Sequence, residues 1–150
     1  MLKEGDKAID FTLMDDEGEP FTLSSLRGKK VVLYFYPKDD TPGCTKEACS
    51  FRDDIDKIRE KGAEVIGVSM DSLKSHKKFK SKYNLPFKLL SDEKGEVSRI
   101  YGVLKMKSFY GLERLGIERS TFIIDEEGVI RKVFRKVKVD NHLEEVLSNL

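Results

Sequence analysis

The chain has little charge of one sign to offer. Its 150 residues set 28 lysines and arginines against 27 aspartates and glutamates, a formal net charge of +1. No global field therefore draws it toward nucleic acid or an anionic membrane surface. No apolar run approaches the roughly 20 residues of a membrane-spanning helix. The opening stretch, MLKEGDKAIDF, has neither an apolar h-region nor a small-residue cleavage site, so a cytoplasmic setting is expected. Cysteine is scarce, with two residues, and so is histidine, also with two. In the cytoplasm a cysteine pair reads as catalytic, redox-sensing or metal-binding rather than as a structural bridge. A structural zinc site asks for four ligands, and His76 and His142 lie far from Cys44 and Cys49 in sequence, so zinc is a poor fit. There is no internal repeat, low-complexity tract or linker, which predicts one domain over residues 1–150.

What is present is a clear alternation of periods. DDEGEP and LRGKK punctuate short apolar stretches in the first 28 residues, which predicts an N-terminal hairpin and loop. VVLYFY (31–36) is a continuous β-branched and aromatic run, suited to a central strand buried on both faces. From Pro42 to about Lys61 the period changes to steps of three and four, through Ala48, Phe51, Ile55 and Ile58, which predicts one amphipathic helix. A strand is expected at 63–70, a helix at 72–84, a short strand at 87–92 and a short helix in GEVSRIYGV. A hairpin over 120–137 should turn at Glu127-Gly128, and a last helix has Asp140 or Asn141 available as cap. This order predicts an α/β fold, a mixed sheet with helices on both faces, in the thioredoxin-like arrangement with an N-terminal extension.

The cysteines sit in TPGCTKEAC. With Thr41 as N-cap, Pro42 falls at the first helical position, where its missing N–H costs nothing, and Cys44 falls at the third. A capping box would put a carboxylate there. The unsatisfied amides and dipole of the first turn favour an anion, and the anion a cysteine can supply is a thiolate. Cys44 is thus expected to be a nucleophile, on a stripe (44, 48, 51, 55, 58) that turns it inward at the carboxyl end of the 31–36 strand. The blander reading is an inert buried thiol. Cys49 lies about 7.5 Å further along the axis and about 140° around it. Disulfides need Cα atoms within about 6.8 Å, so the two cannot bond while the helix is intact. Either they never bond, or the first turns unwind when they do; Cys49 could equally be an unpaired surface thiol on the flank of Arg52 and Asp56.

FYPKDDTPGCTKEAC closely resembles the active-site segment of peroxiredoxins, of the PrxQ or bacterioferritin-comigratory-protein subfamily. In that family a Pro-x-x-x-Thr/Ser-x-x-Cys motif carries the peroxidatic cysteine, matched by Pro37, Thr41 and Cys44. The subfamily's resolving cysteine matches Cys49, and the Arg before TFIID matches Arg119. The likeness also covers LKEGDKAIDFTL, LRGKKVVLYFYP and SDEKGEVSRIYGV. Two places depart: Ile9 stands where a proline is common, and LKMKSFYGLERLG lacks the usual Trp, which leaves the pocket rim and reductant-facing surface open.

The resemblance implies a thioredoxin-fold thiol peroxidase acting on hydrogen peroxide and organic hydroperoxides. Cys44 would become a sulfenic acid, Cys49 would condense with it to an intramolecular disulfide, and a dithiol such as thioredoxin would reduce the disulfide. Thr41 would hydrogen-bond thiolate or peroxide, and Arg119 would favour the thiolate and polarise the peroxide. The Cys44 N–H would meet developing charge, and Pro37 would shield the site from water. The resemblance implies no metal or bound organic cofactor, and a monomer, with a dimer as the alternative.

Other readings carry less. A thioredoxin-like disulfide oxidoreductase would show C-x-x-C, and a proline where Arg119 stands. A non-enzymatic redox switch or holdase would be a helix that melts on oxidation without turnover. KSHKKFKSKY (74–83) and RKVFRKVK (131–138) interleave cations with aromatics, but in a chain of near-zero net charge they read as solvated faces rather than a nucleic-acid surface. His76 reads as packing, and His142 has no evident partner. Lys46 and Glu47 flank the site and could tune it, but read more simply as ordinary helix surface, and Asp39 and Asp40 read as loop residues or weak opponents of the thiolate.

Overall fold

The computed structural model describes the backbone of residues 1–150 and every side chain except that of Phe109. The elements run β1 (Thr12–Asp15), β2 (Pro20–Thr22), a 3₁₀ turn (Leu23–Leu26), β3 (Lys30–Phe35), α1 (Pro42–Asp53), α2 (Ile55–Glu60), β4 (Ala63–Ser69) and α3 (Leu73–Tyr83). There follow β5 (Lys88–Ser91), α4 (Glu96–Ile100), β6 (Leu104–Phe109), β7 (Leu112–Ile117), β8 (Ser120–Ile124), β9 (Ile130–Phe134) and α5 (His142–Ser148). Seven strands form one mixed sheet in the order β2-β1-β5-β4-β3-β8-β9, and β6-β7 stands apart as a two-stranded ribbon.

β3 is central because it is apolar on both faces. Val32, Tyr34 and Tyr36 face a core shared with Ala48 and Phe51 of α1, Ile55 and Ile58 of α2, Phe79 of α3 and Val146 of α5. Val31, Leu33 and Phe35 face a second core with Phe21, Val97 of α4, Tyr101 and Phe122. Helices cover both faces, as the order of elements predicts. Gly67 on β4 makes room for the first core: a Cβ there would meet the Tyr34 ring and Leu89 at 3.0 Å. Phe51, fully buried, lies 4.9 Å from the Tyr34 ring centroid. Phe51→Ala is expected to remove about 3–5 kcal/mol of stability, read as a lower urea midpoint with an unchanged slope.

Two expectations need correction, and one stretch without an assignment finds its place. The single helix over 42–61 is two: Asp54 (φ −114°, ψ 22°) ends α1 and starts α2. Two adjacent aspartates are weak helix formers, and their charges oppose the negative end of the α1 dipole. The apolar stripe keeps its phase across the break, so periodicity could not reveal it. At α5 the cap position is Asn141 in a left-handed conformation (φ 65°), with no side-chain cap bond; Asp140 is instead ion-paired with Lys46. Residues 104–117, unassigned from sequence, form the β6-β7 hairpin through Tyr110 (φ 51°) and Gly111 (φ 78°). Consecutive positive φ values make a tight turn whose twist matches the strands, but Tyr-Gly is not among the strong sequence signals for it. Among the described residues no helix is long and apolar enough to cross a membrane.

Candidate active site

Sheet register brings the two ends of the site together. β3 pairs antiparallel with β8, and its last residue, Phe35, lies opposite Ser120. The chain leaving β3 through Pro37 to Thr41 therefore emerges beside Arg119, the residue before β8. Seventy-five positions apart, Arg119 Nη2 and Cys44 Sγ lie 3.4 Å from each other. Gly43 permits the approach, since a Cβ there would sit 3.1 Å from the same Nη2.

Cys44 is buried at 2% exposure, in the core cluster with Tyr34, Tyr36, Ala48 and Phe51. Cys49 is half-buried, and both cysteines are free thiols on one unbroken helix. Thr41 occupies the N-cap position in extended conformation, yet its side chain makes no cap bond. Its hydroxyl donates to the Lys38 carbonyl at 2.8 Å. The first helical bond is Thr45 N to Thr41 O. The amides of Gly43 and Cys44 precede it, so helix geometry leaves them without intrahelical acceptors, beside the sulfur. Pro37 is half-buried at the start of the loop. Of the five residues singled out from sequence, Pro37 opens the loop, Thr41, Cys44 and Cys49 fall on the start and second turn of one helix, and Arg119 stands at the facing strand end.

Glu47 corrects an expectation. Read as helix surface, it is 1% exposed, and its Oε1 accepts from Arg119 Nη1 at 2.7 Å. One guanidinium thus bridges a carboxylate and the Cys44 sulfur. Burial pushes the Glu47 carboxyl up and Arg119 pulls it back, leaving it at about 7. Burial also works against the Arg119 charge, but Glu47 and Cys44 outweigh it. Two polar atoms beside the bridge, Glu47 Oε2 and Tyr34 Oη, are buried without a hydrogen-bond partner. The signal for Glu47 was its spacing: three residues after Cys44, it falls on the inward face between Cys44 and Phe51. Lys107 of β6 is a second cation that sequence reasoning missed. Half-buried, it donates to the Ile117 carbonyl at 2.6 Å, and burial and the nearby Arg119 push its ammonium down.

The remaining expectations resolve as follows. Asp39 and Asp40 lie in the loop, as expected, but Asp39 is buried and ion-paired with His76, and Asp40 is bound by Lys82 and Tyr83. His76 packs inside, as expected, but as a polar group. His142 does have partners: Thr121 Oγ1 at 2.8 Å and Glu145 at 3.5 Å.

Comparison with known proteins places the chain in a family. Residues 4–133 match the AhpC/TSA family. The chain is 53% identical over 149 residues to peroxiredoxin Bcp of Bacillus subtilis, covering 99% of this chain and 95% of that one. Its structure is similar to a crystal structure of a cysteine-to-serine mutant of PrxQ from Xylella fastidiosa, with TM-score 0.93 at 38% identity, over 99% and 94% of the two chains. It is similar too to the bacterioferritin comigratory protein of Xanthomonas campestris, studied for alkyl peroxide reduction activity (TM-score 0.87, 42% identity, 92% and 88% covered). The chain belongs to the AhpC/TSA family. Within it the chain is a peroxiredoxin of the Bcp/PrxQ kind, a thiol peroxidase on a thioredoxin-like fold.

Proposed function

We propose that Cys44 is the peroxidatic and Cys49 the resolving cysteine of a peroxidase acting on hydrogen peroxide and organic hydroperoxides. The observation that carries this is the Arg119 guanidinium 3.4 Å from the Cys44 sulfur at a helix start with no side-chain cap. A cation and unpartnered first-turn amides converge where negative charge must reside before and during attack.

The Cys44 thiolate forms a bond to one peroxide oxygen and the O–O bond breaks. The other oxygen takes a proton and departs as water or alcohol, leaving a sulfenic acid. Arg119 and the Gly43 and Cys44 amides face that developing charge. Thr41 has a narrower part than expected from sequence. Its proton is given to Lys38 O, so the hydroxyl is set to accept from the peroxide O–H rather than to donate to the thiolate. Pro37 limits water at the loop.

Cys49 then attacks the Cys44 sulfur, displaces the sulfenic oxygen as water, and closes a disulfide that requires α1 to unwind. An external dithiol such as thioredoxin supplies two electrons by exchange and restores both thiols. The reading includes a monomer of one domain, working in the cytoplasm with no cofactor.

Mass spectrometry after one equivalent of peroxide tests the pairing. The wild type should give an intramolecular 44–49 disulfide. Cys49→Ser should complete a first turnover, stop at Cys44 sulfenic acid and lose recycling by thioredoxin. A stable sulfenate in the wild type, or a disulfide between chains, overturns the role of Cys49.

A further inference from the structure

A buried polar cluster under the catalytic loop takes no part in these steps. His76 of α3 and Asp39 are 0% and 2% exposed, with His76 Nδ1 2.6 Å from Asp39 Oδ2. The other ring nitrogen, Nε2, lies 2.8 Å from the Leu90 carbonyl of β5. Asp39 also accepts from the Tyr36 hydroxyl at 2.6 Å and the Ser75 hydroxyl at 2.8 Å. With donors converging on it, Asp39 is a carboxylate; a ring whose two nitrogens both face acceptors is an imidazolium. Asp39, Asp71 and His76 gather ligand-type atoms within 4.8 Å of one another, but each is engaged in hydrogen bonds.

The cluster fixes backbone as well. Asp39 N donates to Asp71 Oδ2 at 2.9 Å, and Ser69 Oγ binds the same oxygen at 2.5 Å. The next residue, Asp40, is left-handed (φ 56°), which is uncommon off glycine. It is held by Lys82 at 2.8 Å and the Tyr83 hydroxyl at 3.0 Å, both from α3. The residues just before Thr41 are therefore clamped to one helix from two sides.

We propose that His76, acting through Asp39, is a positioning residue for Cys44: it anchors the Pro37–Thr41 loop on α3 and holds the first turn of α1 in the wound form from which Cys44 reacts. This rests on the reading of Cys44 as the attacking thiolate. A buried ion pair is costly to break from one side, because the partner is left charged and unpaired. The clamp is thus close to all-or-none. It also carries a pH dependence. Tyr34 of β3 and Tyr36 just after it lie on the side of the pair toward β3, Asp71 comes from the segment after β4, and the Leu90 carbonyl from β5. Burial works against the charged ring, but Asp39, Leu90 and Asp71 together hold its pKa above the ordinary imidazole value. A raised imidazole stabilises the wound form fully below its unfolded value and loses that effect as pH rises through the folded one.

Amide exchange of residues 45–49, whose N–H groups bond back into the first turn, tests this in the reduced protein, taken as protection factors from about pH 6 to about pH 9, alongside the rate of Cys44 sulfenic acid formation. His76→Gln should lower protection there roughly tenfold or more, slow the first turnover by a similar factor, and remove the loosening that the wild type shows as pH rises. Asp39→Asn should act in the same direction. Unchanged protection and rate in His76→Gln, even with a lower melting temperature, overturn the proposal. If His76→Gln does not fold, Ser75→Ala decides: it keeps the pair but removes one donor, and must give a smaller loss confined to 45–49, whereas unchanged protection counts against the clamp. Failure of the peroxidatic reading is distinct. The wild type would then form no Cys44 sulfenic acid, while the exchange comparison would still judge the clamp.

Discussion

Cys44→Ser is expected to abolish peroxide consumption, with a fall of roughly 10⁴-fold or more, while the protein stays folded. In the proposed mechanism the sulfur is the atom that becomes the nucleophile, and a serine hydroxyl beside Arg119 is neither ionised nor soft enough to attack an O–O bond. The fold has little reason to object. The hydroxyl is smaller than the thiol, can still accept from the Arg119 guanidinium, and fills a place at the end of the stripe rather than at its middle, so the stability change should stay within about 1–2 kcal/mol. A peroxide-consumption assay with excess dithiol, paired with a thermal melt, checks both halves. Turnover retained by Cys44→Ser would remove the basis of the peroxidase mechanism proposed for this site.

Arg119→Met should be nearly as severe, and for two separable reasons. It removes the cation at the sulfur, for a loss of roughly 10²–10³ in first-turnover rate by analogy with other preorganised donors. It also strands Glu47, whose other oxygen is already unpartnered inside the protein. Removing one side of a buried pair typically takes away about 3–5 kcal/mol. The sign of the pH dependence follows from Glu47. Its carboxyl sits at about 7 in the folded protein against 4.5 as the reference. Between those values the folded state binds a proton that the unfolded state has released, so stability falls as pH rises from about 4.5 to about 7 and then levels. Without Arg119 the carboxyl shifts further upward, and the decline extends to higher pH. The variant should therefore be closest to wild type in mild acid and furthest from it in mild base. Arg119→Met with Glu47→Gln should regain much of the stability and remove this slope, yet remain slow. Recovery of rate in the double variant would show that Arg119 matters to the fold rather than to the chemistry.

Much of this site was legible because it is written locally. Thr41, Pro42 and Cys44 announce a helix start by residue type, and the stripe from Cys44 to Ile58 announces which face is buried. What was not legible depends on partners far away in sequence. Glu47 and Asp39 are ordinary polar letters until the β3–β8 register delivers Arg119 to one and the packing of α3 delivers His76 to the other. Propensity treats both as surface, and tertiary pairing overrides it. The β6-β7 hairpin escaped because its turn lacks the usual residues. The helix break escaped because periodicity reports facing, not continuity of hydrogen bonds.

That break has a kinetic side. A helix is cooperative only as far as its ladder runs unbroken, and the ladder of α1 stops at Asp54. Melting that starts at Cys44 meets a firebreak at Asp54, the end of the twelve-residue α1, while Ile55 and Ile58 remain seated on the sheet. The loosened stretch is then a short tether fixed at both ends, with Cys49 near its middle and little space to search. Rewinding so short a segment belongs to the regime of about 0.1–1 μs, far faster than thiol exchange. On the proposed mechanism, once a reductant frees the two sulfurs, the next encounter with peroxide finds the nucleophile already back in place.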